Sequence, residues 1–353
     1  MLNKKELASL IGINSHTATL WEKGETEPTA ENVEACSRIL NFPKEFFYGP
    51  DIDEPDLEAT SFRSQTSMTA SMRDAACAAG AIGFLISDWV EKQFNIPEIK
   101  IPDLHLYDDP ESAARTLRQE WGLGEKPISN MIQLLESKGV RVFSLAENTA
   151  KVNAYALWKD GKPYVFLNTF KSAESSRFDA AHELAHLVLH QDGSVTGREA
   201  EDQANRFASA FLMPKADILS ALPRVYSLDQ LITAKQRWRV SLAALNYRIH
   251  KLGITTDWKY RDFCIEIAKR KYNKSEPRGI EREKSIVWQK VLTALWSDKM
   301  THKAIADDLC VRESEISDLL FGVLNPVIFD KTISNPMLSL VEKNNEESSQ
   351  AQA

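Results

Sequence analysis

The chain is poor in cysteine and in long apolar runs. Its four cysteines (Cys36, Cys77, Cys264 and Cys310) are scattered over 353 residues, and no two of them form a CxxC pair. This spacing argues against a disulfide framework or a thiolate zinc site and predicts reduced thiols. The N-terminal segment "MLNKKELASL" also has too short an apolar core for a signal peptide, and no stretch approaches the ~20 apolar residues that a membrane span requires. We therefore expect a cytoplasmic protein with no membrane partner.

Positive charge is also in short supply. The chain has 43 Lys and Arg against 50 Asp and Glu, a net charge of −7. Because nonspecific phosphate binding needs a cationic face, this balance argues against a protein that coats nucleic acid along its whole surface. A local basic patch stays compatible with it. With 43% apolar residues, the chain is long enough to fill two or three cores.

Breaks in composition divide the first part of the chain. Residues 1–50 predict short helices interrupted at glycine and proline, and residues 51–60 predict an acidic linker, since they hold five acids and a proline. An Ala-rich helix follows, with Gly80 and Gly83 weakening its middle. Two further helices are expected within residues 110–138.

The hydrophobic period then changes from helical to alternating. The segments "VRVFSL", "VNAYALW" and "KPYVFLN" alternate apolar and polar residues, and "KDGK" between the last two is typical of a hairpin turn. A small β-sheet is therefore predicted before residue 170.

The stretch "FDAAHELAHLVLH" at residues 178–190 contains an HExxH pattern. His182 and His186 are four residues apart, so their rings share one helical face and can meet one ion. Glu183 is rotated about 100 degrees around the axis and can reach a water on that ion. The pattern predicts two metal ligands and a general base on a helix capped by Ser176, although such patterns also arise by chance in helices.

A catalytic zinc ion normally keeps a third protein ligand. In the downstream segment "REAEDQANRFASAFLMP", Glu201 begins the pattern Glu-x-x-Ala-Asn. Ala204 is small enough for close helix packing, and Asn205 is placed to orient a histidine ligand. Four competing ligands are weaker by position, and one of them, His190, is expected at an exposed helix end. The competitors are Glu199, Asp202, Asp192 and His190.

These segments resemble the ImmA/IrrE family of zinc metallo-endopeptidases. The resemblance rests on "RFDAAHELAHLVLH" and "EDQANRFASAFLMP", with "SFRS", "EWGLGEKPISNMIQLLESKGVRVFSL" and "KPYVFLNTFKSAESSRFD" ahead of them. It implies an α+β fold, mostly helical, with a gluzincin-like peptidase core and a small β-sheet over residues 61–280. It also implies that Zn²⁺ is the cofactor and that a transcriptional repressor is the substrate, in a stress, prophage or mobile-element response. The implied roles are zinc ligand for His182, His186 and Glu201, and base for Glu183.

An oxyanion-stabilising donor is not evident in the sequence. Tyr155 in the predicted sheet is a candidate, with a core or hairpin tyrosine as the alternative interpretation.

The N-terminal segment "KKELASLIGINSHTATLWEKGETEP" has helix-turn-helix spacing and resembles the XRE repressor class. DNA contacts are expected at the start of the second helix. However, XRE domains begin one helix earlier, so this domain is either truncated or has its true start upstream. Both alternatives argue against independent DNA binding, as does the charge of residues 1–50, which hold five Lys and Arg against seven Asp and Glu. The alternative is that these helices pack on the protease or bind protein. The DNA-binding candidates are Ser15, His16, Thr17 and Thr19.

A second such pair is predicted in a C-terminal helical module at residues 281–340. In "MTHKAIADDLCVRESEISDLLFG", residues Ala306, Cys310, Val311 and Ile316 stand at the offsets of Ala8, Gly12, Ile13 and Ala18. Its cysteine in the turn and its acidic face favour a packing module. The polar tail at 341–353 is expected to be disordered.

Residues 235–290 hold fifteen Lys and Arg against six Asp and Glu. This excess predicts a solvated helical face, with nucleic acid or an acidic protein as the alternative partner.

Two functions follow from the sequence. The first is a zinc-dependent endopeptidase that regulates transcription by site-specific cleavage of a repressor protein. The alternative is a DNA-binding transcriptional regulator whose metal site is sensory or structural and performs no proteolysis. Glu183 favours the enzyme, since a structural metal site needs no base.

Overall fold

The computed structural model describes residues 2–55, 69–145, 154–297 and 301–321. The second half of the predicted linker, residues 61–68 and every residue after 321, which include the end of the predicted C-terminal module and the predicted disordered tail, lie outside the described residues. In the described part, no helix combines the length and apolar character that crossing a membrane requires.

The N-terminal residues form three helices that meet around small side chains. Helix α1 spans Lys4–Ile11, α2 spans Ser15–Glu22 and α3 spans Ala30–Leu40, and a short 3-10 helix follows at Lys44–Tyr48. Asn3 and Glu6 form a reciprocal capping box at the start of α1, with both hydrogen bonds 2.9 Å long.

The turn between α1 and α2 has the predicted geometry. Gly12 takes a left-handed conformation with φ of 84°, which a glycine adopts without a steric penalty. Ala8 and Ala18 are both buried where the two helices cross. The spacing of small residues therefore corresponds to a real helix-turn-helix.

Nine helices and three strands make up the central region that the structure describes between residues 70 and 269. Their bounds are α4 Ala70–Glu91, α5 Pro110–Glu120, α6 Met131–Ser137, β1 Arg141–Ser144, β2 Ala154–Lys159, β3 Lys162–Leu167, α7 Ala173–Leu189, α8 Gly197–Leu212, α9 Lys215–Ala221, α10 Leu228–Trp238, α11 Leu242–Lys251 and α12 Asp257–Lys269. The result is the mostly helical α+β architecture that the sequence predicted.

The three strands form one small mixed sheet in the order β1-β3-β2. Strand β1 runs parallel to β3, and β2 pairs with β3 in an antiparallel hairpin. Asp160 and Gly161 close this hairpin with φ values of 50° and 72°, as the "KDGK" segment predicted.

Helices cover both faces of this sheet. On one face the ring of Tyr155 stacks on Phe166, and the Tyr155 hydroxyl reaches the backbone of α4. On the other face, Trp158 Nε1 donates to the Leu187 carbonyl of α7 at 3.3 Å. Strands β2 and β3 are therefore buried along most of their length, and the alternating pattern expected for a half-exposed sheet is incomplete.

Helix α4 is continuous through both glycines that were expected to weaken it. A Cβ at Gly80 would lie 2.5 Å from Pro55 Cγ and 2.9 Å from the Tyr155 hydroxyl. A Cβ at Gly83 would lie 2.8 Å from Phe166 Cε1. The glycines are thus sites of close packing against the sheet and the preceding segment, and burial of the helix offsets their low helix propensity.

The described half of the predicted linker is packed rather than free. Pro55 is buried, and Asp53 pairs with Lys159 of β2 at 2.8 Å. Residues 51–55 therefore lie against the central region.

The segment after α12 is joined to the central helices by buried side chains. Glu283 accepts hydrogen bonds from the backbone N–H groups of Met131 and Ile132 at the start of α6. Ser285 donates to Glu136 in the same helix. The packed region therefore extends past residue 280, where the sequence had placed its end.

Three C-terminal helices complete the described chain: α13 Ile286–Ser297, α14 His302–Asp308 and α15 Glu313–Phe321. Cys310 takes a left-handed φ of 53° at the position that Gly12 holds in the first pair. The Val311 N–H donates to Ala306 O at 2.9 Å, and the Ile13 N–H donates to Ala8 O at 3.0 Å. The two helix pairs therefore share the same turn.

The second helix of this pair faces inward. Ser144 of β1 donates to the Asp318 carbonyl of α15 at 2.7 Å, and Leu319 and Leu320 are both 1% exposed. The guanidinium of Arg312, just before α15, lies 4.6 Å from the ring centroid of Phe42. The C-terminal pair thus packs on the sheet and touches the N-terminal module, which agrees with the packing interpretation.

Candidate metal centre

Helix α7 carries both histidines of the HExxH pattern. It begins one turn earlier than the sequence suggested, because Ser172 is the cap: its hydroxyl accepts the Ser175 N–H at 3.1 Å. The expected cap, Ser176, lies inside the first turn and is buried, so that prediction was wrong. The earlier start adds a turn that ties the helix to the rest of the core.

The structure brings His182, His186 and Glu201 together. The Nε2 atoms of the two rings are 3.1 Å apart. The Glu201 carboxylate from α8 lies 3.4 Å from His182 Nε2 and 3.3 Å from His186 Nε2. One ligand atom from each of the three residues lies within 4.8 Å of the others.

The approach of α8 depends on a small residue. Ala204 has no exposed surface and lies one turn after Glu201, where α7 and α8 are in contact. A larger side chain there would separate the helices and withdraw the carboxylate from the rings. Asn205, next to it, contacts His182 Nδ1 through its Oδ1 at 3.2 Å.

The donor set fits a divalent cation. Because Asn205 Oδ1 is an acceptor, it places the His182 proton on Nδ1 and leaves a lone pair on Nε2. That lone pair faces the second Nε2 and a carboxylate, so atoms that can each donate an electron pair to a cation converge. A cation is the group that such an arrangement accommodates, and two imidazoles with a carboxylate are a common ligand set for zinc.

The electrostatics of the two histidines differ. Burial lowers the pKa of His182, but the neighbouring carboxylates of Glu201 and Glu183 outweigh it, and the pKa lies above its ordinary value. Burial dominates at His186 and lowers its pKa to about 4. Glu183 itself is only 3% exposed, in the turn that bears the first histidine.

The competing candidates lie away from this cluster or have other partners. Asp192 accepts hydrogen bonds from the N–H and hydroxyl of Ser194, and Glu199 accepts one from Gln203 at 3.5 Å. Asp202 is exposed to solvent. Among the described residues, His182, His186 and Glu201 form the one group of His, Cys, Asp and Glu side chains with metal-ligand spacing.

The sequence interpretation misplaced one residue beside the cluster, His190, and missed another, Gln203. His190 is half-buried rather than exposed, and its Nδ1 lies 3.0 Å from His186 Nδ1. Its Nε2 contacts Gln203 Oε1 at 3.1 Å. The i, i+4 spacing of His190 from His186 was visible in the sequence, but the facing Gln203 on α8 was not.

Tyr155 is a core residue. It has no exposed surface, and its hydroxyl donates to the Ala76 carbonyl at 2.7 Å. Burial raises its pKa well above the ordinary value. Its hydroxyl is therefore occupied inside the core, and the suggestion that it stabilises an oxyanion was wrong.

The DNA-binding candidates divide by exposure. Ser15 and His16 are exposed at the start of α2, where Asn14 caps the helix by accepting the His16 N–H at 3.0 Å. Thr17 and Thr19 are half-buried, and the Thr19 hydroxyl donates to the Ser15 carbonyl. The first turn of α2 is thus the part of this helix most open to a partner.

Part of the positive charge in residues 235–290 lies inside the protein. Lys235 has no exposed surface and pairs with Glu174 and Glu276. Arg248 is 2% exposed and pairs with Glu111 at 3.0 Å. These cations stabilise packing, so the local excess does not correspond to a uniform basic face.

Comparisons with known proteins agree with these two regions. Residues 135–250, which contain the whole cluster, match the family model of the IrrE N-terminal-like peptidase domain. Residues 1–47 match a helix-turn-helix family model. No curated protein matches the chain significantly. The chain thus contains a segment that matches an IrrE N-terminal-like peptidase domain, preceded by a segment that matches a helix-turn-helix domain of the XRE type.

Proposed function

We propose that this chain is a zinc-dependent endopeptidase that regulates transcription by cutting a repressor protein at a specific site. The observation that carries this proposal is the convergence of His182 Nε2, His186 Nε2 and the Glu201 carboxylate beside buried Glu183. The domain match supports peptide hydrolysis, and the attached helix-turn-helix supports a role in transcription.

The residues around the cluster have complementary roles in this proposal. His182, His186 and Glu201 hold Zn²⁺, and Asn205 keeps His182 in the tautomer with a bare Nε2. Bound zinc supplies Lewis acidity, which polarises the scissile carbonyl and lowers the pKa of water. Glu183 takes the proton from the attacking water and returns it to the leaving amide nitrogen.

The proposed domain organisation follows the packing. Residues 1–50 form the helix-turn-helix module, and the peptidase unit continues past residue 280 to Ser285, because Glu283 and Ser285 are buried against α6. The helices from Ile286 onward form a C-terminal packing module.

Glu183→Gln tests the hydrolytic part of the proposal. The full chain, loaded with zinc, is incubated with repressor proteins encoded by neighbouring genes, and products are identified by intact-mass spectrometry. Loss of the general base should slow cleavage by roughly 10²–10⁴-fold while zinc content stays equal to wild type. Asp202→Asn, an exposed carboxylate beside Glu201, is the matched control and should cut normally.

Equal cleavage by Glu183→Gln and wild type would contradict the assignment of the base. A synthetic peptide that spans the identified cleavage site then separates recognition of the folded repressor from the chemistry of the cut.

A second candidate function is a DNA-binding regulator in which the metal serves sensing or structure. The exposed first turn of α2 in a domain that matches helix-turn-helix proteins supports it. The intact chain should then retard promoter DNA in an electrophoretic mobility-shift assay. The variants Ser15→Ala and His16→Ala should retard it less. A shift in a chain that leaves every tested repressor intact would favour this function over proteolysis.

A further inference from the structure

His190 connects α7, the helix that carries His182 and His186, to α8. Its ring lies one turn beyond His186 on α7, with the ring centroids 5.0 Å apart. The two Nδ1 atoms are 3.0 Å apart, and His190 Nε2 lies 3.1 Å from Gln203 Oε1 of α8. Each ring nitrogen of His190 therefore has one partner.

The direction of these hydrogen bonds follows from Glu199, the last residue in this chain of contacts. Gln203 Nε2 lies 3.5 Å from the Glu199 carboxylate. Because a carboxylate only accepts, the amide nitrogen of Gln203 faces Glu199 and its Oε1 faces His190. Because Oε1 accepts, His190 donates through Nε2–H, and its neutral ring keeps a lone pair on Nδ1. That lone pair accepts a hydrogen bond from the Nδ1–H of His186.

We propose that His190, oriented by Gln203, is a positioning residue that holds His186 in the Nδ1–H tautomer and aims its bare Nε2 at the ion. The consequence for affinity rests on the proposed zinc function, whereas the tautomer assignment concerns the metal-free chain as well. His190 touches neither substrate nor ion in this role and acts through His186.

Side chains of α7 and α8 thereby orient both histidines. Asn205 accepts from His182, His190 accepts from His186, and Gln203 accepts from His190. Both amides come from α8, two residues apart, so the helix that supplies Glu201 also fixes both rings. A small shift of α8 would therefore disturb all three ligands together.

The tautomers can be read without metal. The full chain is labelled with ¹⁵N-histidine, stripped of metal and examined by long-range ¹H–¹⁵N correlation at about pH 8, above the ordinary histidine pKa of about 6.5. Signals are assigned by single substitutions. The expected result is Nδ1–H for His186 and Nε2–H for His190. An Nε2–H tautomer at His186 would overturn the proposal.

Zinc affinity provides the second readout, measured by competition with a chromophoric chelator. His190→Ala removes the acceptor and should weaken zinc binding about 10–100-fold. His190→Asn places a side-chain oxygen near the position of Nδ1 and should restore most of that loss. His250→Asn is the matched control, because His250 is also half-buried on a helix but packs on Tyr260 away from the cluster.

The outcomes separate this inference from the proposed function. If His190→Ala binds zinc as tightly as wild type, or if His190→Asn fails as badly as His190→Ala, the positioning role is refuted. If wild type binds no zinc, the metal proposal fails, and the tautomers of the metal-free chain still decide the role of His190.

Discussion

The ammonium group of Lys235 lies 2.9 Å from a carboxylate oxygen of Glu174, and neither side chain has more than 2% of its surface exposed. Glu174 stands in the first turn of α7, eight residues before His182. A second carboxylate, Glu276, reaches the same ammonium at 3.3 Å. Lys235 of α10 thus joins α7 to the segment after α12 through two buried ion pairs.

The next anchor lies one turn further along α7. Arg177 pairs with Glu283, both side chains are buried, and Arg177 also donates to the Ile128 carbonyl. The chain beyond residue 270 therefore holds the first half of α7 through buried ion pairs of Glu276 and Glu283. These contacts explain why the packed region extends beyond residue 250, where the match to the peptidase family model ends.

Lys235→Met should strongly destabilise the protein. Removing the cation leaves the buried carboxylates of Glu174 and Glu276 without the opposite charge that they share, and breaking such a pair costs about 3–5 kcal/mol. Urea unfolding followed by circular dichroism measures the loss. Lys269→Met, at an exposed position of α12, should change stability by less than about 0.5 kcal/mol. A loss at Lys235 no larger than in this control would contradict the network.

Glu201→Gln should lower zinc affinity much more than Asp202→Asn does. The first substitution removes a carboxylate that faces both Nε2 atoms, and the second changes an exposed neighbour on the same helix. An anionic ligand offsets the positive charge of the ion, and a neutral amide does not. Chelator competition on the two purified variants gives the comparison. Equal affinities would remove Glu201 from the ligand set.

The local spacing in the sequence predicted much of this fold. The i, i+4 geometry of His182 and His186, the turn at Gly12 and the hairpin at Asp160 and Gly161 each depend on residues that are close in the chain. In such cases backbone geometry alone relates the residues. The Glu-x-x-Ala-Asn pattern singled out Glu201 as the third ligand and the resemblance to a family supported it, but no local rule could place this residue beside the histidines.

Features that depend on distant contacts were not predictable. His190 appeared to be an exposed helix end because its partner Gln203 comes from another helix. Gly83 appeared to weaken α4, since nothing in the sequence shows that Phe166 would lie against it. Pairings such as Lys235 with Glu174 likewise require knowledge of which helices pack together.

Gly83→Ala should destabilise the protein although alanine is the better helix former. The added Cβ would lie 2.8 Å from Phe166 Cε1 and 2.9 Å from its Cζ. Overpacking of this kind costs about 1–3 kcal/mol, against a gain of up to about 1 kcal/mol in helix propensity. Thermal unfolding by calorimetry measures the net effect.

A reverse substitution in the same helix isolates the packing effect. Ala78 is exposed on α4, so Ala78→Gly should cost about 1 kcal/mol through propensity alone. Gly83→Ala and Ala78→Gly should therefore both destabilise the protein, although they are opposite exchanges in the same helix. A stabilised Gly83→Ala protein would show that Phe166 can move away at little cost.

Glu136 should make stability depend on pH in an unusual direction. Its carboxyl is buried in α6, and this burial raises its pKa from 4.5 to about 7, although Ser285 and the N–H groups of Ile286 and Val287 donate to it. The folded protein therefore binds the proton more tightly than the unfolded chain does. The stabilising contribution is full below about pH 4.5 and is lost as the pH rises through about 7, a change of roughly 3 kcal/mol.

Glu136→Gln removes this titration while it keeps an oxygen that can accept from Ser285 or the backbone. Chemical unfolding between about pH 5 and pH 8 should show stability falling with pH less steeply in Glu136→Gln than in wild type, and the difference between the two curves isolates this one carboxyl from all other groups. Glu120→Gln, an exposed carboxyl at the end of α5, should leave the wild-type slope unchanged. Parallel curves for Glu136→Gln and wild type would mean that Glu136 is ionised in the folded protein at every pH tested, with the three donors from the start of α13 outweighing its burial.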